Sequence, residues 1–197
     1  MTKAPKIVVT KKRTIHTYAE LWHASYCVLQ SGLTIAEGSS WQFLSSLVLT
    51  AFSFEAYLNH VGAKTFECWE DLDRLPPLAK LELLSEALSV KFPNGPGARP
   101  LQTVSKLFTF RNAIAHGRTG EVKYEPVTLD LTKYEKEYRA PLLANWEQLI
   151  QSEEFALSAR EDVEEVMRIV QSGRKDSTDN LFTTGMGSYG ATLVQEP

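Results

Sequence analysis

Only two cysteines occur in the chain, Cys27 and Cys68, far apart and without a CxxC spacing. Neither a disulfide framework nor a cysteine-based zinc site is therefore expected. Long apolar runs are missing too. The longest uncharged stretch, 38–54, is studded with Ser, Thr and Gln and closes at Glu55, which excludes a membrane-spanning helix of the usual length of about 20 apolar residues. The N-terminal lysines are followed by no apolar h-region or small-residue cleavage site, so no secretory signal is expected and a reducing, cytoplasmic setting is the default. Acid is absent from the first 13 residues, where Lys3, Lys6, Lys11, Lys12 and Arg13 give a side-chain charge of +5. The remainder, with 16 basic and 24 acidic residues, carries −8. Such an arm reads as a solvated terminus, with nucleic acid or an acidic partner surface as its other use.

What is present is ordinary globular material. The 197 residues are 43% hydrophobic and 23% charged, which excludes a wholly disordered chain and fits one domain with tails. Helical signals dominate over 15–173. The first helix runs from Tyr18 to about Leu29 and stops near Gly32. Ser39 or Ser40 is placed to cap a second, long helix over 41–61, whose polar positions Gln42, Ser45, Ser46, Ser53 and His60 gather opposite Leu44, Val48, Ala51 and Leu58. Pro76 and Pro77 open a third helix through Leu78, Leu81, Leu84 and Leu88. The proline- and glycine-rich stretch 92–100 is a loop, after which a fourth helix runs from Leu101 to Gly117. Residues 118–131 alternate enough for a short hairpin or extended connection. Two more helices fit 133–152 and 158–172. The expected fold is an all-α bundle of five to six helices over 15–173, between a basic arm (1–14) and a mobile tail (174–197) that could order on a partner.

One stretch, 107–117 (LFTFRNAIAHG), combines features of chemical interest. Leu101, Val104 and Phe108 form an apolar stripe, and Arg111 lies on its continuation. A charge on a buried stripe needs a counter-charge. Glu55 sits seven residues after Val48 and three before Leu58, on the apolar side of the second helix, so a Glu55–Arg111 pair is expected. It would serve either to fix helix register or to position Arg111. His116 follows Asn112 by four residues and shares its face, whereas Arg111 lies roughly 140° away around an ideal helix. Two copies of this helix across a two-fold axis would bring both groups to one cleft, so a homodimer is expected if they act together.

Arg111-Asn112-x-x-x-His116, with its apolar lead-in and trailing Gly117, resembles the signature of the HEPN superfamily of helical domains. The segment Phe52-Ser53-Phe54-Glu55-Ala56-Tyr57-Leu58-Asn59 is similar to an early bundle helix of several HEPN groups. The resemblance implies an endoribonuclease that works without a metal or other cofactor, by attack of the RNA 2′-hydroxyl on the adjacent phosphorus. In that role His116 would move protons, Arg111 would hold the scissile phosphate, and Asn112 would orient phosphate or histidine. Glu55 would position Arg111, and Arg118 and Lys123 would add weak RNA contacts. Family habit points to a toxin or antiviral effector with an antitoxin or regulatory partner. The rival readings are a non-catalytic module that binds RNA, a nucleotide or a partner protein, and a structural adaptor bundle. His16, His23 and His60 show no metal-ligand spacing, and no metal site is expected. The glycine-rich run at 185–190 lacks a Walker lysine, so a phosphate loop is not expected there. Trp22, Trp41, Trp69 and Trp146 read as core or interface aromatics.

Overall fold

A computed structural model describes residues 6–123, 125, 128, 130, 131, 133, 134, 141–175 and 180–193. Its frame is the antiparallel pair α1 (Thr17–Thr34) and α2 (Ser39–Thr65). Helix α1 buries Tyr18, Ala19, Trp22, Ser25, Leu29 and Gly32, a three-to-four-residue repeat that makes one continuous face. Three of those residues, Ala19, Ser25 and Gly32, are small, and the helices approach closely as a result. A Cβ on Gly32 would stand 2.9 Å from both the Gln42 Cβ and the Phe43 ring. Across the seam Ser46 Oγ donates to the Ser25 carbonyl (2.9 Å) and Ser53 Oγ to the Tyr18 carbonyl (2.7 Å).

Ala51 and Leu58, on the side of α2 expected to be apolar, are buried, but these bonds also turn serines expected on the polar side inward. Its serine side turns inward, with Ser46, Thr50 and Ser53 fully buried, while Leu44 and Val48 are only partly covered and Trp41 and Phe52 are exposed. The inward turn of the serines has a physical reason. Short hydroxyl side chains can satisfy themselves on backbone carbonyls and so allow the axes to close up, which a period-based count of apolar residues does not register. The cap also differs. Gly38, in the left-handed region at φ 74°, precedes α2, and neither Ser39 nor Ser40 caps it.

The remaining helices gather around α2: the single turn α3 (Trp69–Leu72), α4 (Pro77–Ala87, with proline in its first turn), α5 (Leu101–Ala115), the single turn α6 (Asn145–Gln148) and α7 (Glu154–Ser172). Helices α4, α5 and α7 all pack on α2, and α5 also packs on α7. Phe54, Tyr57, Leu58, Leu84, Val104, Leu107, Val163, Val166 and Met167 form the center of the core. The Tyr57 hydroxyl donates to the Met167 carbonyl at 3.0 Å, and burial pushes its ionisation well above the ordinary phenol range. Asp162, buried on α7, is held in a bidentate pair by Arg99, Nε to Oδ2 at 2.8 Å and Nη2 to Oδ1 at 2.9 Å.

Three further expectations meet the structure. The helix expected over 133–152 is interrupted: Lys133 and Tyr134 are helical, 135–140 lie outside the described residues, 141–144 are not helical, as suits the missing N–H of Pro141, and Asn145–Gln148 form a single turn. No strand forms among the described residues of 118–131; Tyr124, Pro126, Val127 and Leu129 lie outside them. The two arms are not separate. Strand β1 (Ile7–Arg13) pairs antiparallel with β2 (Gly187–Leu193), from Ile7 opposite Leu193 to Arg13 opposite Gly187, so a two-stranded ribbon joins the helices and the fold is not purely α. The chain leading into β2 is seated on the body, with the Phe182 ring stacked on Trp22 (4.9 Å between centroids) and His16 Nδ1 2.9 Å from the Thr183 carbonyl.

Candidate active site

Helix α5 is docked by Val104, Leu107, Phe108 and Phe110, all buried, and this fixes what its last two turns present. Arg111 continues the buried stripe toward α2. Its side chain is 16% exposed, and Nη2 donates to Glu55 Oε2 at 2.5 Å. The guanidinium also lies 5.4 Å from the Phe108 ring center and 6.0 Å from that of Phe52. Arg111 Nε is buried and has no hydrogen-bond partner among the described residues. The expected Glu55–Arg111 pair is present, and Glu55 keeps 28% exposure.

A third charge completes the group. Lys80 on α4 is 1% exposed, its Nζ donating to Asn59 Oδ1 at 2.8 Å and standing 3.7 Å from Glu55 Oε1. Lysine is almost never this buried without a partner. The two oxygens of one carboxylate thus face two cations from two other helices, and the three side chains together keep a charge of +1. Sequence reasoning missed Lys80 and its bond to Asn59. The signal was there: Lys80 precedes Leu84 by four residues and falls on the leucine stripe of α4, and Asn59 follows Glu55 by four on α2.

His116 and Asn112 are differently placed. Helix α5 ends at Ala115, and His116 is its C-terminal cap, its N–H donating to the Asn112 carbonyl at 2.9 Å. Both side chains are exposed and form no hydrogen bond with a described residue. Gly117 does not adopt a left-handed conformation, so the helix closes on the histidine rather than on a glycine cap. The structure therefore brings Arg111 to Glu55, and leaves Asn112 and His116 together on the open side of the same two turns. It does not bring Arg111 and His116 to one face within a single chain. Arg118 and Lys123 are exposed just beyond, and Lys123 Nζ is 3.3 Å from Glu121 Oε2, which offsets its charge locally.

No cluster of three or more His, Cys, Asp or Glu side chains is arranged to hold a metal among the described residues. Among these residues, too, no helix is long and apolar enough to cross a membrane. No family model matches the chain, and comparisons with curated proteins and with solved structures likewise found no match.

Proposed function

We propose that the chain is a HEPN-type endoribonuclease that acts as a homodimer, in the manner of a toxin or antiviral effector. The observation that carries this reading is the end of α5, where Arg111 is anchored by the Glu55–Lys80 group one residue before an exposed Asn112 and five before an exposed His116. His116 would take the proton of an RNA 2′-hydroxyl as that oxygen attacks the adjacent phosphorus. The phosphorus–O5′ bond breaks, leaving a cyclic phosphate and, after protonation of the leaving oxygen, a 5′-hydroxyl. In the homodimer, His116 of the second copy would supply that proton. Arg111 would offset charge on the phosphoryl oxygens, a task suited to a rigid, always-protonated guanidinium. Asn112 would hold the phosphate or the imidazole by hydrogen bonding, with Arg118 and Lys123 as peripheral contacts.

The same ion pair also favours a second reading. Arg111 is largely covered and engaged by Glu55, as an architectural arginine would be, and on that reading the domain binds RNA, a nucleotide or a protein without cutting. Incubation of total cellular RNA with the protein in EDTA separates the two. Cleavage is expected to give discrete products with cyclic-phosphate ends, and to fall at least about 100-fold in folded His116→Ala, the scale of general acid–base catalysis. Folded wild-type protein that yields no such ends transfers the reading to the binding module.

A further inference from the structure

Every residue of β1 and β2 is exposed, on both faces of the ribbon. The seven paired positions span roughly 23 Å at about 3.3–3.4 Å per residue. A two-stranded ribbon with nothing on either face is marginal in water, and this one is tied to the body only at its inner end. There Arg13 Nη2 donates to Glu20 Oε1 of α1 at 3.1 Å, and the Thr14 N–H donates to the Met186 carbonyl at 3.1 Å as one more rung of the ribbon.

Its chemistry is one-sided. Residues 6–13 carry Lys6, Lys11, Lys12 and Arg13 and no acid, while β2 is uncharged. Strand β1 and the adjoining Lys6 thus carry +4 on a chain of net charge −3, which leaves −7 for the rest. Lys6, Lys11 and Lys12 form no ion pair with any described residue, so three of the four cations are unspent. Strand alternation sets Ile7, Val9, Lys11 and Arg13 on one face, with Leu193, Ala191, Tyr189 and Gly187 opposite them. Tyr189 is 79% exposed, with Lys11 Nζ 6.0 Å from its ring center. Cations flanking an uncovered aromatic ring are what a single-stranded nucleic acid needs, phosphates for the lysines and a base for the ring.

We propose that the β1–β2 ribbon is a docking arm for single-stranded RNA. The choice of RNA over DNA rests on the ribonuclease reading; the charge and stacking argument does not. A second ribbon is the less favoured occupant, because two copies side by side would set like charges against one another.

Fluorescence anisotropy with a labelled 2′-O-methyl-uridine 20-mer tests the arm apart from cleavage, since its blocked 2′-oxygen cannot attack. The full-length wild type is expected to bind with a negative salt slope. Lys11→Ala/Lys12→Ala is expected to weaken binding about tenfold and flatten the slope by about 1.4, two cations at ~0.7 each. Tyr189→Ala is expected to weaken it about fivefold or more. None of these side chains is buried, and unchanged circular dichroism verifies the fold. Absence of wild-type binding, or variants with wild-type affinity and slope, overturns the proposal. So does a dimer in sedimentation velocity that both variants abolish, which would give the ribbon to a second copy. A thymidine 20-mer that binds more tightly than the uridine probe overturns the assignment to RNA.

Discussion

Glu55 carries more of the structure than its position on a helix suggests, because it is the one carboxylate within ion-pair distance of both Lys80 and Arg111 among the described residues. Removing one partner of a buried charge group leaves the others uncompensated, at about 3–5 kcal/mol. Glu55→Gln is therefore expected to lower stability by that amount in urea unfolding. Lys80→Met, added to Glu55→Gln, is expected to restore part of the loss by removing the stranded ammonium. Losses that simply add would show that Lys80 is not held as a buried charge. Arg111 and its partner were legible in the sequence, since each stood on an apolar stripe where a lone charge is untenable. Lys80 was readable by the same rule, but the leucines around it drew attention to the stripe rather than to the exception. The placement of His116 away from the buried side was legible too, from its offset of roughly 140° from Arg111 on an ideal helix, whereas its position as the helix cap was not, because Gly117 beside it is the usual capping residue.

At the scale of elements, the seam between α1 and α2 depends on side chains too small to fill it. Gly32→Ala would drive a methyl to 2.9 Å from Gln42 and Phe43 on α2, where neither neighbor is the end of a flexible chain. A loss of about 1–3 kcal/mol is expected, the usual range for overpacking, read as a lower urea midpoint at unchanged slope. The lengths of α1, α4, α5 and α7 were close to legible, through Pro77 in the first turn of α4, the proline-rich loop before α5 and the apolar period of α7. The facing of α2 was legible at Ala51 and Leu58 but not at its serines. Ser46 and Ser53 count as polar in any periodic pattern, yet each spends its hydroxyl on a carbonyl of α1 and belongs inside. The break at Pro141 was legible locally, because proline has no N–H to continue a helix.

On the scale of the whole molecule, the two ends of the chain meet across 180 residues, with Thr10 opposite Gly190. No local pattern encodes such a contact. The β-branched run Ile7-Val8-Val9 is a strand former without a visible partner, and the glycine-rich segment that pairs with it has the composition of a tail. Charge separation was legible, however, and the ribbon gives it a place: the cations stand off an acidic body that buries none of them. This division predicts how stability is shared. The helical body buries the core, whereas the ribbon buries no side chain, so ending the chain after Thr184 should leave the unfolding midpoint within about 0.5 kcal/mol of the full chain, the usual range for changes at the surface. Ending it after Asn180 also removes Phe182 from Trp22 and Thr183 from His16. That second truncation should cost a further 0.5–1.5 kcal/mol or so for the lost stack alone. Urea unfolding of the two shortened chains beside the full one measures both steps. A large loss on the first cut would mean that the ribbon is part of the cooperative unit. Equal midpoints for both cuts would mean that the Phe182 stack does not anchor the segment leading into β2.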